Sequence, residues 1–125
     1  MHTLEQLQDM LAEHKEWQGK INFYKEEVEN LKRELEGFVT SDKNPETLAQ
    51  VEHFQNQFIR QREVLDIMRH DFKQHENAIE GHSKNPLQNL AAMHMSERDK
   101  LIQFEKLFRE LREEFHGFLH NTALF

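Results

Sequence analysis

The chain has 125 residues, 31% of them charged and 37% hydrophobic, with four glycines, two prolines, no cysteine and a formal net charge of -7. This composition suits long helices and neither a β-sandwich nor a disordered tail, and the length suits a single domain over residues 1–125. The acidic balance, without a gathered basic face, argues against nucleic acid and anionic membranes as partners; the missing cysteines exclude disulfides and thiol chemistry, and no apolar run approaches bilayer length.

The polar start MHTLEQLQ lacks the cationic and apolar regions of a secretion signal, so a cytoplasmic protein is expected. Thr3 followed by Gln6 has capping-box spacing, and apolar residues recur every three to four positions from Leu7 to Phe38. This predicts a helix over 3–39, with His14 as the one strongly polar member of its seam and Trp17 one turn later.

The segment TSDKNPE (Thr40 to Glu46) opens the second helix, predicted over 45–81. Asn44 is placed to accept from orphan amides as N-cap, and Pro45 falls at the first helical position, where a missing N–H costs nothing. Its seam runs from Val51 to His82, with Gln61, His75 and His82 polar, and Gly81 suits a C-terminal cap.

GHSKNPLQ (Gly81 to Gln88) repeats the Asn-Pro signal, with Asn85 as expected N-cap, Pro86 at the first position and Gln88 at capping-box spacing. The third helix is predicted over 86–120, its seam running from Leu87 to Phe118 with His94 and Glu97 polar. The tail NTALF, Asn121 to Phe125, has too few turn-formers to be a spacer and suits either a cover over the bundle end or a docking peptide.

Three seams with a seven-residue period and short loops predict an all-α fold: an elongated up-down-up antiparallel three-helix bundle with left-handed, coiled-coil-like packing. Helices of roughly 36 residues would be about 54 Å long. The pairs Glu16–Lys20, Glu29–Arg33 and Glu105–Arg109 have the favourable i,i+4 order on outer faces. In length, helix count and a Trp in its first helix the chain resembles a spectrin-type repeat in outline. Helix 3 has no tryptophan, and the resemblance implies architecture only.

Aligning the antiparallel seams from their loops places His14, His75, His94 and Glu97 in one layer. Burying these groups without partners costs roughly 1 to 3 kcal/mol each, so they must satisfy one another or something else. One reading is a hydrogen-bonded polar layer that fixes helix register inside a non-enzymatic interaction or assembly protein. The other is a small metal-binding protein whose three imidazoles and one carboxylate hold zinc or another first-row divalent metal.

Asp71, one turn before His75, is a candidate to orient that imidazole. His116 and His120 with Glu113 have chelating spacings but fall on an exposed face, and His2, His53 and His70 are also expected outside the core. No serine has an evident base, and glycine-rich phosphate loops are absent, so catalysis is not expected. Outward apolar residues, namely Phe23, Ile59, Ile67, Met95, Ile102 and Leu107, would mark a homodimer or a groove for a partner helix if they join into one patch.

Overall fold

Asn44 opens the second helix by the chemistry its place before a proline predicts. Its side-chain oxygen accepts from the Glu46 N–H at 2.9 Å and its carbonyl accepts from the Leu48 N–H at 3.0 Å, while Pro45 takes the first helical position. In the computed structural model, which describes residues 2–38, 44–82 and 84–123, helix α1 spans His2–Gly37, α2 Pro45–Glu80 and α3 Leu87–Ala123. The three pack against one another as an all-α bundle, and none is long and apolar enough to cross a membrane.

Three local expectations change. Thr3 already lies inside α1, so it does not cap it. Asn85 turns backward: its amide nitrogen donates to the carbonyls of Ala78 at 3.2 Å and Gly81 at 3.1 Å, closing α2, while the Pro86 carbonyl receives the first amides of α3. Helix α3 continues through Asn121, Thr122 and Ala123, because nothing there breaks a helix; Leu124 and Phe125 lie outside the described residues. Gly81 does cap α2, but with φ -92 and not with a left-handed backbone.

Every buried residue is a seam position of the seven-residue pattern. The apolar core nevertheless falls into two clusters. A large one runs from Trp17 to Phe115, and a small one at the α2–α3 turn comprises Leu7, Met10, Ile79 and Leu90. Between them lie His14, His75, His94 and Glu97, all buried.

The rims of the seams differ in kind. Parallel helices α1 and α3 are joined at Glu13–Arg98, Lys20–Glu105, Glu27–Arg112 and Glu34–His116, and the α1 members recur every seventh residue. Tyr24 donates to Glu105 at 2.7 Å; burial, reinforced by that carboxylate, pushes its phenol up to about 12. Antiparallel α1 and α2 are joined by Lys25–Asp66 and Glu29–Arg62. Lys20, Glu29 and Glu105 therefore bridge helices, where the sequence suggested i,i+4 partners on one helix. A side chain flanking a seam reaches across it as readily as along its own surface. Each exposed bridge contributes about 0.2 to 1 kcal/mol.

Gly19 lies exposed in mid-α1, where an added Cβ meets nothing within 4 Å. Replacing a helical glycine by alanine removes backbone freedom from the unfolded chain at no steric cost. Gly19→Ala is expected to raise stability by about 0.5–1 kcal/mol and the thermal midpoint by about 2–5 °C. A midpoint that stays put or falls in a calorimetric melt would show that the added methyl carries a cost in the folded chain and overturn this expectation.

Candidate metal centre

Each helix brings one imidazole to the layer because each seam carries one histidine at that height. His14 and His75 ring centroids are 4.8 Å apart, His14 and His94 5.2 Å, and His75 and His94 5.6 Å. Each ring offers a nitrogen within 4.8 Å of the other two, and this is the metal-ligating cluster found among the described residues. Glu97 joins the pair of His14 and His75, its carboxylate oxygens lying 3.0 Å from His14 Nε2 and 2.9 Å from His75 Nδ1. His14 Nε2 and His75 Nδ1 are themselves 3.1 Å apart.

The outward nitrogens decide what the inward ones can do. His75 Nε2 donates to the Leu90 carbonyl at 2.9 Å, which leaves its Nδ1 as the inward atom. His94 Nε2 lies 2.7 Å from Glu13 Oε1, and the Arg98 guanidinium holds the same oxygen at 2.6 Å. His14 Nδ1 is 3.5 Å from Glu76 Oε1. An ionised carboxylate or a carbonyl only accepts, so at His75 and His94 these outer groups draw the ring proton outward and turn a lone pair inward. In the layer His94 Nδ1, Glu97 Oε2 and the outer His14 Nδ1 lie buried without an aligned hydrogen-bond partner among the described residues.

Electrostatics follow the same geometry. Burial lowers the basicity of His94 and outweighs the opposing pull of Glu13. Burial alone would raise the Glu97 carboxyl, but the ring nitrogens of His14 and His75 outweigh it and hold it below its ordinary value. Glu13 is also held low, because His94 and Arg98 together exceed its desolvation.

Aromatic rings wall the layer on one side. Trp17 lies 4.6 Å from His94 at an interplanar angle of 20°, and 5.1 Å from His14, while Phe72 sits 5.4 Å from His14. On the α1–α3 side a groove of about 340 Å³ borders His94, lined there by the paired Glu13 and Arg98.

All four predicted site residues thus come together, with the imidazoles forming the tighter group. Asp71 does not orient His75; it lies on the flank of α2, lining the α2–α3 groove, and the Leu90 carbonyl does that work. Glu13, Glu76 and Arg98 are additions the seam pattern did not single out. Their sequence signal was adjacency: Glu13 precedes His14, Glu76 follows His75 and Arg98 follows Glu97. His116 pairs with Glu34 at 3.0 Å on the surface and forms no cluster with His120 and Glu113. His53, His70 and His82 are exposed, as is His120.

No family model, curated protein or solved structure matches the chain.

The directions of the three shifts agree in sign. His94 falls below its ordinary 6.5, so under acid the unfolded chain takes up a proton that the folded one refuses. Stability is therefore full above that value and declines as pH drops from it. Glu97 and Glu13 lie below 4.5, so a second loss begins there as the unfolded carboxyls protonate first. Urea midpoints of metal-free protein at pH 7, 5.5 and 4 are expected to fall in that order, each group contributing a slope of at most about 1.4 kcal/mol per pH unit. Stability that rose on acidification would show His94 to be held charged.

Proposed function

We propose that the protein is a small, non-enzymatic metal-binding bundle that holds one divalent first-row cation, zinc foremost, between His14, His75, His94 and Glu97. The observation that carries this reading is the direction of the His75 and His94 nitrogens: a carbonyl and a carboxylate accept on the outside, leaving lone pairs and the Glu97 carboxylate on the inside. Such an arrangement has acceptors facing acceptors, and a cation completes it.

The dimensions support the same reading. A tetrahedral ion about 2.0–2.2 Å from each donor separates the donors by roughly 3.3 Å and imidazole centroids by roughly 5 Å. His14 Nε2 and His75 Nδ1 are 3.1 Å apart, each lies 2.9–3.0 Å from a different oxygen of Glu97, and the centroids are 4.8–5.6 Å apart. His94 is the ring that would move inward on loading. Three neutral imidazoles and one carboxylate leave a divalent ion with a net charge of +1, lower than the bare ion carries into a buried site. The donors come from the core, where His14, His75, His94 and Glu97 are all buried, which favours binding over turnover.

One feature supports the rival reading, a proton-filled layer serving an assembly protein: the depressed Glu97 carboxyl fits ring N–H groups of His14 and His75 pointing at it. Metal analysis of untagged protein separates the two. Expected are one first-row metal per chain and, at free zinc near 100 times the dissociation constant, a stabilisation of about 2.7 kcal/mol. Emission from Trp17, the only tryptophan, should change as the site fills.

His94→Leu should abolish both responses while keeping the fold, because leucine suits a seam position and Glu13 retains Arg98. Protein that carries no metal, and whose melting temperature and emission ignore added zinc, would leave only the proton-filled layer.

A further inference from the structure

The two seams that involve α1 are stitched along their rims by ion pairs, but among the described residues the α2–α3 seam has none at its rim. Its outer side is a groove of about 1050 Å³ floored by Val64, Met68 and Phe104. Exposed Ile67, Met95 and Leu107 line it, at 60%, 61% and 46% accessibility. Of the outward apolar residues in the sequence, these three join into one patch; Phe23, Ile59 and Ile102 lie off it. Arg60, Asp71, Asp99 and Lys100 also line the groove, and none makes an ion pair or hydrogen bond among the described residues. The buried Gln61 Oε1 at its edge likewise has no partner.

We infer that this groove is the interface for a second copy of the chain, docked by a twofold axis passing near Ile67 and Leu107. The argument is charge complementarity. A chain of net charge -7 repels its own copy over most of its surface, whereas this strip carries two charges of each sign. Their order matters more than their number.

The antiparallel register that sets His75 beside Glu97 and Phe58 beside Phe115 places Asp71 about level with Asp99 and Lys100. Arg60 stands alone some 16 Å away, eleven residues earlier on α2. Between these two levels the strip is cationic at one limit and net anionic at the other, with apolar side chains between; Met95 lies one turn beyond Asp99, outside this stretch. A twofold interface brings each end of one copy onto the opposite end of the other. Arg60 of each copy then meets Asp71 and Asp99 of its mate, and the two Ile67 side chains pack near the axis. A parallel, head-to-head arrangement would instead oppose like charges.

Sedimentation velocity tests this on the full chain, with concentration varied from about 1 to 100 µM to cover a micromolar association. Expected at the top of the range is a species of twice the 15.1 kDa chain mass that dissociates on dilution. Ile67→Glu sets two carboxylates together at the axis, and Arg60→Asp sets three acids together at each end. Each should weaken dimerisation at least tenfold. Joining Arg60→Asp with Asp71→Arg exchanges the ends and should restore it.

All three variants sit on exposed positions or the groove flank, and circular dichroism checks that each stays helical. A wild-type chain monomeric at 100 µM would overturn the inference, including the case where the groove takes a different protein's helix. So would a dimer that tolerates Ile67→Glu, or one that the exchanged pair fails to rescue.

Discussion

A buried carboxylate ringed by three imidazoles must be electrically completed, and the rest of this bundle is arranged around that requirement. Among the described residues Glu97 pairs with no lysine or arginine; its neighbours are His14 and His75, and His94 stands beside them. The arginine nearest in sequence, Arg98, is committed to Glu13 on the rim. What completes the layer is therefore something small: protons on the rings, or one cation shared among them. Apolar rings close one side, so bulk water does not screen the interaction as it would at a surface.

The same layer gives the bundle a unique register. Heptad seams of Leu, Phe, Ile and Val are nearly interchangeable under a seven-residue slip, because each apolar layer resembles the next. A slip of one helix would strand its histidine among apolar neighbours and leave the other two without their third member. That cost, about 1 to 3 kcal/mol for each orphaned group, exceeds anything a single exposed ion pair adds. The α1–α3 rungs favour the same alignment at four successive heptads, so they act together in one direction although each is weak. Register is thus set twice, by a few strong buried groups and by many weak exposed ones. The division of the apolar core into two clusters is what the buried choice costs.

The sequence disclosed the seams, the three helices and the residues of the layer, because a period of 3.5 residues and the antiparallel loops fix which positions share a height. Asn44 was legible for a purely local reason: a cap bonds the amides of its own helix. Asn85, in the same Asn-Pro context, was misread because a tight turn offered it the free carbonyls of the preceding helix. Positions beside the seam failed in a similar way. Lys20, Glu29, Glu105 and Asp71 each had a plausible partner one turn along the same helix, and three of them bonded across the bundle while Asp71 turned to a groove. Which neighbour a flanking side chain meets depends on rotation of the helix by a few tens of degrees, and hydrophobic period does not resolve that. The outer acceptors Glu13 and Glu76 occupy such flanks, so the core half of the site was readable and its supporting half was not.

Helix α1 is the strut of the structure, bridged to both neighbours along its length. Between Phe54 and Glu80, α2 meets α3 mainly through apolar side chains. The polar ties there are those of His75, to the Leu90 carbonyl and to Glu97, and both lie in the layer. Whatever neutralises Glu97 therefore adds to the apolar packing that holds α2 to α3. A cation shared by His75 and Glu97 draws the two helices together at that height, whereas a shared proton ties them through one hydrogen bond that acid or heat can exchange. The exposed groove and the buried layer are thus two sides of one pair of helices, whose polar ties lie inside the core and not along its rim.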